Sequence, residues 1–254
     1  MNKNLAFILY ILIFYTFVTH TTAYAVRPLS TEDATVIDKG SLEVEGGFEW
    51  TRLENRDDNY SFVLVPNYGL LEHVQICCEI PFDIIRPEDD SDQEGLGDIG
   101  VASKILILQE TERIPSVVFK SIVKLSTGDE DKGLGSGDED VTLILAATKS
   151  IGKVTLHSNI GYSFVGKEAD DSLKDCMLYG VAFEYPVGSE LSIVGEVYGE
   201  SESGFNKDSH VISPLVGLRY QLTENITFDT AFKIGTSYEK KTDYGIIGGL
   251  SMSF

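Results

Sequence analysis

The 254-residue sequence is short of positive charge. Its 20 Lys and Arg face 40 Asp and Glu, for a formal net charge of −20. That balance repels nucleic acid and bare phosphate surfaces, so no nucleic-acid partner is expected. Histidine is scarce too, with 4 in the chain, and His20 falls in the N-terminal apolar stretch. The 3 cysteines, Cys77, Cys78 and Cys176, give no zinc-ligand spacing and an odd count for a disulfide framework. Adjacent strand residues point to opposite faces, so Cys77 and Cys78 are poor partners for each other. What remains is a bridge from Cys176 to one of them, or three small apolar residues with free thiols. There is no Gly-x-Ser-x-Gly elbow, and the glycine-rich stretches precede no helix that would cradle a phosphate. A Ser–His–Asp set can be picked from His157, Ser158 or Ser163, and Asp229, but such common residue types meet by chance. Neither an enzyme nor a cofactor is expected.

Long apolar runs are missing beyond the N-terminus, which excludes spanning helices there. At the N-terminus itself, Lys3 precedes an apolar run from Leu5 to Val18, followed by Ala23, Tyr24 and Ala25. A cation, a short apolar region and a small-x-small triplet make a secretory signal peptide over 1–25, with cleavage after Ala25. The run is too short to be an anchor, which needs about 20 residues.

Alternation is what fills the rest. Over 41–50, Leu42, Val44, Phe48 and Trp50 oppose Glu43, Glu45 and Glu49; over 74–83, Val74, Ile76, Cys78, Ile80 and Phe82 oppose Gln75, Glu79 and Asp83. The same period of two recurs to the end of the chain, where Tyr244, Ile246, Leu250, Met252 and Phe254 share one face. This is the pattern of strands with one apolar face. Twelve such runs can be counted, beginning near 41, 60, 74, 98, 117, 140, 154, 176, 190, 210, 226 and 244. Short links near 69–72, 150–153, 186–189 and 222–225 alternate with longer acidic ones at 57–58, 88–94, 129–140, 168–175 and 200–208. Periplasmic turns and extracellular loops differ in that way. Aromatic residues fall at both strand ends, with Trp50, Tyr60, Phe164 and Tyr244 toward the loops and Tyr68, Tyr185, Tyr220 and Phe254 toward the turns.

The expected fold is therefore all-β, an antiparallel transmembrane β-barrel of about twelve strands over 40–254. It would sit in a Gram-negative-type outer membrane, with outer-membrane lipid and the barrel-assembly machinery as partners. A secreted sandwich or small soluble barrel is the competing arrangement, since it alternates equally but points its apolar face inward. The segment 26–39 is too polar for a strand; it either tucks into the lumen from the periplasmic side or hangs as a tail. With the apolar face outward, the lumen would be lined by Glu79, Lys104, Lys120, Lys124, His157, Glu196, Arg219, Asp229 and Lys233. Charges of both signs either line a narrow polar passage or pair with each other and fill it, and twelve strands lie between filled and open sizes. The Asp and Gly loops at 95–98 and 127–140 invite a calcium reading, but they lack the Asp-x-Asp-x-Asp-Gly spacing with its distal Glu, and solvated turns account for them.

Three patterns resemble the outer-membrane family grouped under the meta-pathway of phenol degradation: RPLSTEDATVIDKGSLEVEGG over 27–47, GLGD over 95–98, and KLSTGD over 124–129 followed by GSGD over 135–138. Ser126 departs from it, standing where that family usually has proline. The resemblance implies an outer-membrane channel or transporter for small, hydrophobic or aromatic molecules. The alternative function is a surface barrel that transports nothing and whose acidic loops bind cations or partner proteins.

Overall fold

The computed structural model describes residues 27–53, 56–88, 90–166, 175–202, 210–237 and 243–254. The signal-peptide region and most of the acidic stretches at 168–175 and 200–208 lie outside the described residues. The strands are β1 (Leu42–Arg52), β2 (Asp58–Leu71), β3 (Val74–Arg86), β4 (Gln93–Leu96), β5 (Gly100–Leu108), β6 (Ser116–Lys124) and β7 (Asp140–Ile151). The chain continues through β8 (Val154–Phe164), β9 (Cys176–Pro186), β10 (Leu191–Glu202), β11 (His210–Thr223), β12 (Ile226–Ser237) and β13 (Asp243–Ser253). Apart from β4 and β5, neighbours in sequence pair antiparallel, and β1 pairs with β13 from Glu43↔Ser253 to Arg52↔Tyr244, which closes the sheet. Closure removes the sheet edges that would otherwise leave unpaired N–H and C=O groups in lipid. Short β4 and longer β5 occupy successive stretches of the same flank of β3, so the wall has twelve strand positions.

The expected strand runs are all present, most of them longer than the alternation alone indicated. One stretch differs. The sequence reads as an acidic link over 88–94, a glycine turn over 95–98 and a strand over 98–108; instead Gln93–Leu96 pairs with β3, the chain breaks stride at 97–99, and pairing resumes at Gly100. Gly97 lies against Pro81 and Asp83 there, in space that a side chain would fill. The long link after β6 carries a single 3₁₀ turn, Glu130–Lys132.

Exposure separates the two arrangements that alternation left open. Phe62, Leu96 and Val181 are 45%, 53% and 62% exposed, while Val118 and Val194 on the other face are fully buried. The large apolar side chains form the outer wall, as a barrel bathed in lipid requires and a soluble barrel forbids. An aromatic cluster marks its loop end: Trp50 meets Tyr244 edge-on at 5.8 Å and Phe48 lies 5.1 Å from Phe62. Phe254 points outward, and its N–H donates to the Leu42 carbonyl at 2.8 Å, tying the last residue to the first strand. The three cysteines are free, with Cys77 buried on the inner face.

Candidate functional site in the barrel lumen

Residues 27–39 run through the lumen. A segment without a strand partner must satisfy its backbone polar groups elsewhere, and here side chains of the inner wall do so. The Ile37 N–H donates to Gln75 Oε1 at 3.1 Å, the Ala34 N–H donates to Thr148 Oγ1 at 2.8 Å, and Ser116 Oγ donates to the Ala34 carbonyl at 2.6 Å. Farther along, the Ser30 and Thr31 N–H groups both donate to the Glu196 carboxylate, at 2.9 and 2.8 Å. At the turn end, the Gly40 N–H donates to the Gly69 carbonyl and fixes the segment where it meets β1.

Charge pairing fixes its middle. Lys104 Nζ lies 2.7 Å from Glu32 and 2.5 Å from Asp33, and Lys120 Nζ lies 2.8 Å from Glu32 and 3.5 Å from Glu79. Arg27 Nε stands 3.5 Å from Asp229, and its Nη2 donates to the Gly248 carbonyl at 3.1 Å. Its guanidinium lies against Gly47 and Gly249, where any side chain would displace it. Apolar contacts complete the fit: Leu29 packs among Ala182, Val194, Leu215, Ala231 and Ile247, and Ala34 among Val118, Ile144 and Ala146. Alanines on the wall leave the width that the segment occupies.

The residues expected to line the lumen thus divide. Lys104, Lys120, Glu196 and Asp229 hold the segment, Glu79 adding to Lys120. The others pair along the wall: Lys124 with Asp140 at 2.6 Å, Arg219 with Glu184, and Lys233 with Glu49. His157 Nδ1 meets Thr148 Oγ1 at 2.9 Å. No Ser–His–Asp set assembles among them. Ser158 faces outward, Ser163 bonds Thr142 at 2.9 Å, and Asp229 belongs to Arg27. The residues overlooked in sequence are Gln75, Ser116 and Thr148, neutral and unremarked by charge, and Arg27, Glu32 and Asp33 on the segment itself. A signal did exist for the last three, in the charges of 27–33 facing a barrel with four inward lysines.

The segment divides the lumen without filling it. A cavity of about 220 Å³ lies beside Glu43, Glu79, Cys77 and Lys120. Two more open at the end that carries the short turns: about 350 Å³ next to Ile37, Leu106 and Gln109, and about 500 Å³ next to His157, Glu184 and Arg219. Several inward polar atoms, among them both oxygens of Asp229, Asn159 Oδ1 and Ser251 Oγ, have no hydrogen-bond partner within the protein. Buried polar atoms of that kind call for water. Among the described residues no group of three or more His, Cys, Asp or Glu could hold a metal ion.

Solved structures with this architecture are outer-membrane proteins. An outer membrane channel from Pseudomonas putida F1 is 15% identical over 91% of this chain and 100% of its own, with a TM-score of 0.69. A KdgM porin, solved in complex with disordered oligogalacturonate, is 10% identical over 84% of this chain and 99% of its own, at 0.56. The translocator domain of the autotransporter NalP from Neisseria meningitidis is 8% identical over 86% of this chain and 90% of its own, at 0.54. At such identities the likeness is one of fold. No curated protein matches the chain in sequence. The family model described as "Putative MetA-pathway of phenol degradation" matches residues 25–251, nearly the whole barrel and the segment inside it, and the chain belongs to that family.

Proposed function

We propose that the protein is an outer-membrane channel for small molecules of aromatic or otherwise apolar character, and that it catalyses no reaction. The observation that carries this reading is the mixed lining of the lumen. In the cavity at the turn end, Val36, Ile37 and Leu106 stand beside Glu43, Glu110, Ser116 and Thr148. An aromatic ring with one polar substituent needs both kinds of surface, because apolar walls offset its desolvation and a few polar groups orient it. The family description points to the same class of solute. Residues 1–25 direct export and are removed after Ala25, the barrel-assembly machinery inserts the chain, and outer-membrane lipid surrounds it.

Purified protein in liposomes should conduct ions weakly and admit phenol-sized solutes faster than sugars of equal mass. A deletion strain should take up such aromatics more slowly, with recovery on complementation. Equal uptake with and without the protein, together with the absence of any conductance, would remove the channel reading.

A further inference from the structure

The lumen carries a second obstruction at its extracellular end. Residues 125–139, between β6 and β7, do not project outward as their acidity suggests. They fold across the inner face of β3 and β4. Phe82 and Leu96 pair on the outer face of those strands, so Gly95, between Leu96 and Glu94, faces the lumen. A Cβ at Gly95 would lie 2.9 Å from Leu134 Cδ1. Leu134 is accordingly 6% exposed, although it belongs to a loop with three exposed acidic neighbours, Asp129, Glu130 and Asp131.

One carboxylate holds this fold. Asp98 Oδ1 accepts the Gly128 N–H at 2.9 Å, its Oδ2 accepts the Ser136 N–H at 2.9 Å, and Lys124 Nζ lies 3.3 Å from Oδ2. Both stems of the loop are therefore tied to the break between β4 and β5. Thr127 adds a second tie, with Oγ1 donating to the Gly97 carbonyl at 3.1 Å and accepting the Ile99 N–H at 2.8 Å. Gly128 passes so close to the Leu134 carbonyl that no side chain fits there, and a Cβ at Gly135 would lie 2.6 Å from Asp98. The break in β4–β5 and the glycines of the loop thus serve one arrangement.

We propose that loop 125–139 is an outer gate of the lumen, latched shut by Asp98, and separate from the 27–39 segment that obstructs the periplasmic side. A solute arriving from outside meets Leu134 before it meets the segment. Opening requires the Asp98 bonds to the Gly128 and Ser136 amides to break together, because each holds one stem. A charge-assisted hydrogen bond is worth about a factor of ten in such an equilibrium.

The test reads access to the lumen from outside and does not depend on transport. In a background of Cys77→Ala, Cys78→Ser and Cys176→Ser, the substitution Glu79→Cys places one thiol on the inner face below the loop. A membrane-impermeant maleimide is then added to intact cells. Labelling should be slow with the latch intact and about tenfold faster or more after Asp98→Ala. Leu134→Ala leaves the latch in place, removes the inward side chain and should give a smaller acceleration, so it stands in if Asp98→Ala fails to assemble; unheated gel mobility reports assembly. Folded Leu134→Ala, or folded Asp98→Ala, labelled at the parent rate would overturn the proposal. Conductance measured on the same proteins tests the channel reading by itself, since a gate can open onto a lumen that conducts nothing.

Discussion

Glu32→Ala is the most informative change, because Glu32 is the only side chain that touches both Lys104 and Lys120 among the described contacts. Its oxygens lie 2.7 Å from Lys104 Nζ and 2.8 Å from Lys120 Nζ. Removing it leaves Lys104 with Asp33 at 2.5 Å, but Lys120 with only Glu79 at 3.5 Å. Lys120 is 13% exposed, so its ammonium is left largely out of water with one distant partner. Stripping a partner from a buried ion pair costs about 3–5 kcal/mol. The cost falls on the state with the segment in place, because a displaced segment lets water reach the lysine. At about 1.4 kcal/mol per tenfold, even the lower figure shifts the ratio of seated to displaced segment about a hundredfold. Planar-bilayer recording should show this as larger or more frequent conductance steps, and liposome swelling should quicken. The double variant Glu32→Met with Lys120→Met removes both charges and should return toward the parent, since replacing both members of a buried pair is close to neutral. A folded Glu32→Ala protein with parental conductance would refute the idea that these charges seat the segment. A double variant as leaky as the single one would refute the electrostatic accounting.

Other outcomes follow from the same geometry. Val181 is 62% exposed midway along β9, so Val181→Arg should cost about 2–4 kcal/mol of barrel stability in lipid; an unchanged denaturant midpoint would mean that this face does not meet hydrocarbon. Hydrogen exchange at the Gly128 and Ser136 amides, whose N–H groups Asp98 accepts, should be slow in the parent and quicken after Asp98→Ala; unchanged exchange would contradict the latch. Gly249→Val would drive its side chain into the Arg27 guanidinium and should loosen the segment as Glu32→Ala does, read by the same conductance steps. Phe254→Lys puts a charge at the outward end of β13 and should lower the yield of heat-modifiable barrel in the membrane fraction, without changing the conductance of what assembles.

The sequence by itself determined the wall. A period of two with large apolar residues on one face prescribes strands, and the alternation of short and long links prescribes an up-and-down order. The pairing of Trp50 with Tyr60, or of Phe62 with Phe82, then follows from neighbours in the chain. Local periodicity could not say which face met lipid; the outward Phe62, Leu96 and Val181 decide it only once the sheet is closed. The contents of the lumen were legible only in part, since the sequence named inward-facing residues but left segment 26–39 either inside the lumen or hanging as a tail. Segment 27–39 has no period because its partners come from strands across the whole wall, Lys104 on β5, Thr148 on β7, Glu196 on β10 and Asp229 on β12, each contributing one residue. Loop 125–139 likewise reads as a solvated acidic link, and only the break at 97–99 opposite it turns Asp98 into a latch. Strand formation depends on neighbours one and two residues apart, which the sequence displays. What the barrel encloses depends on groups up to 221 residues apart, such as Arg27 and Gly248, and closure of the sheet alone brings them together.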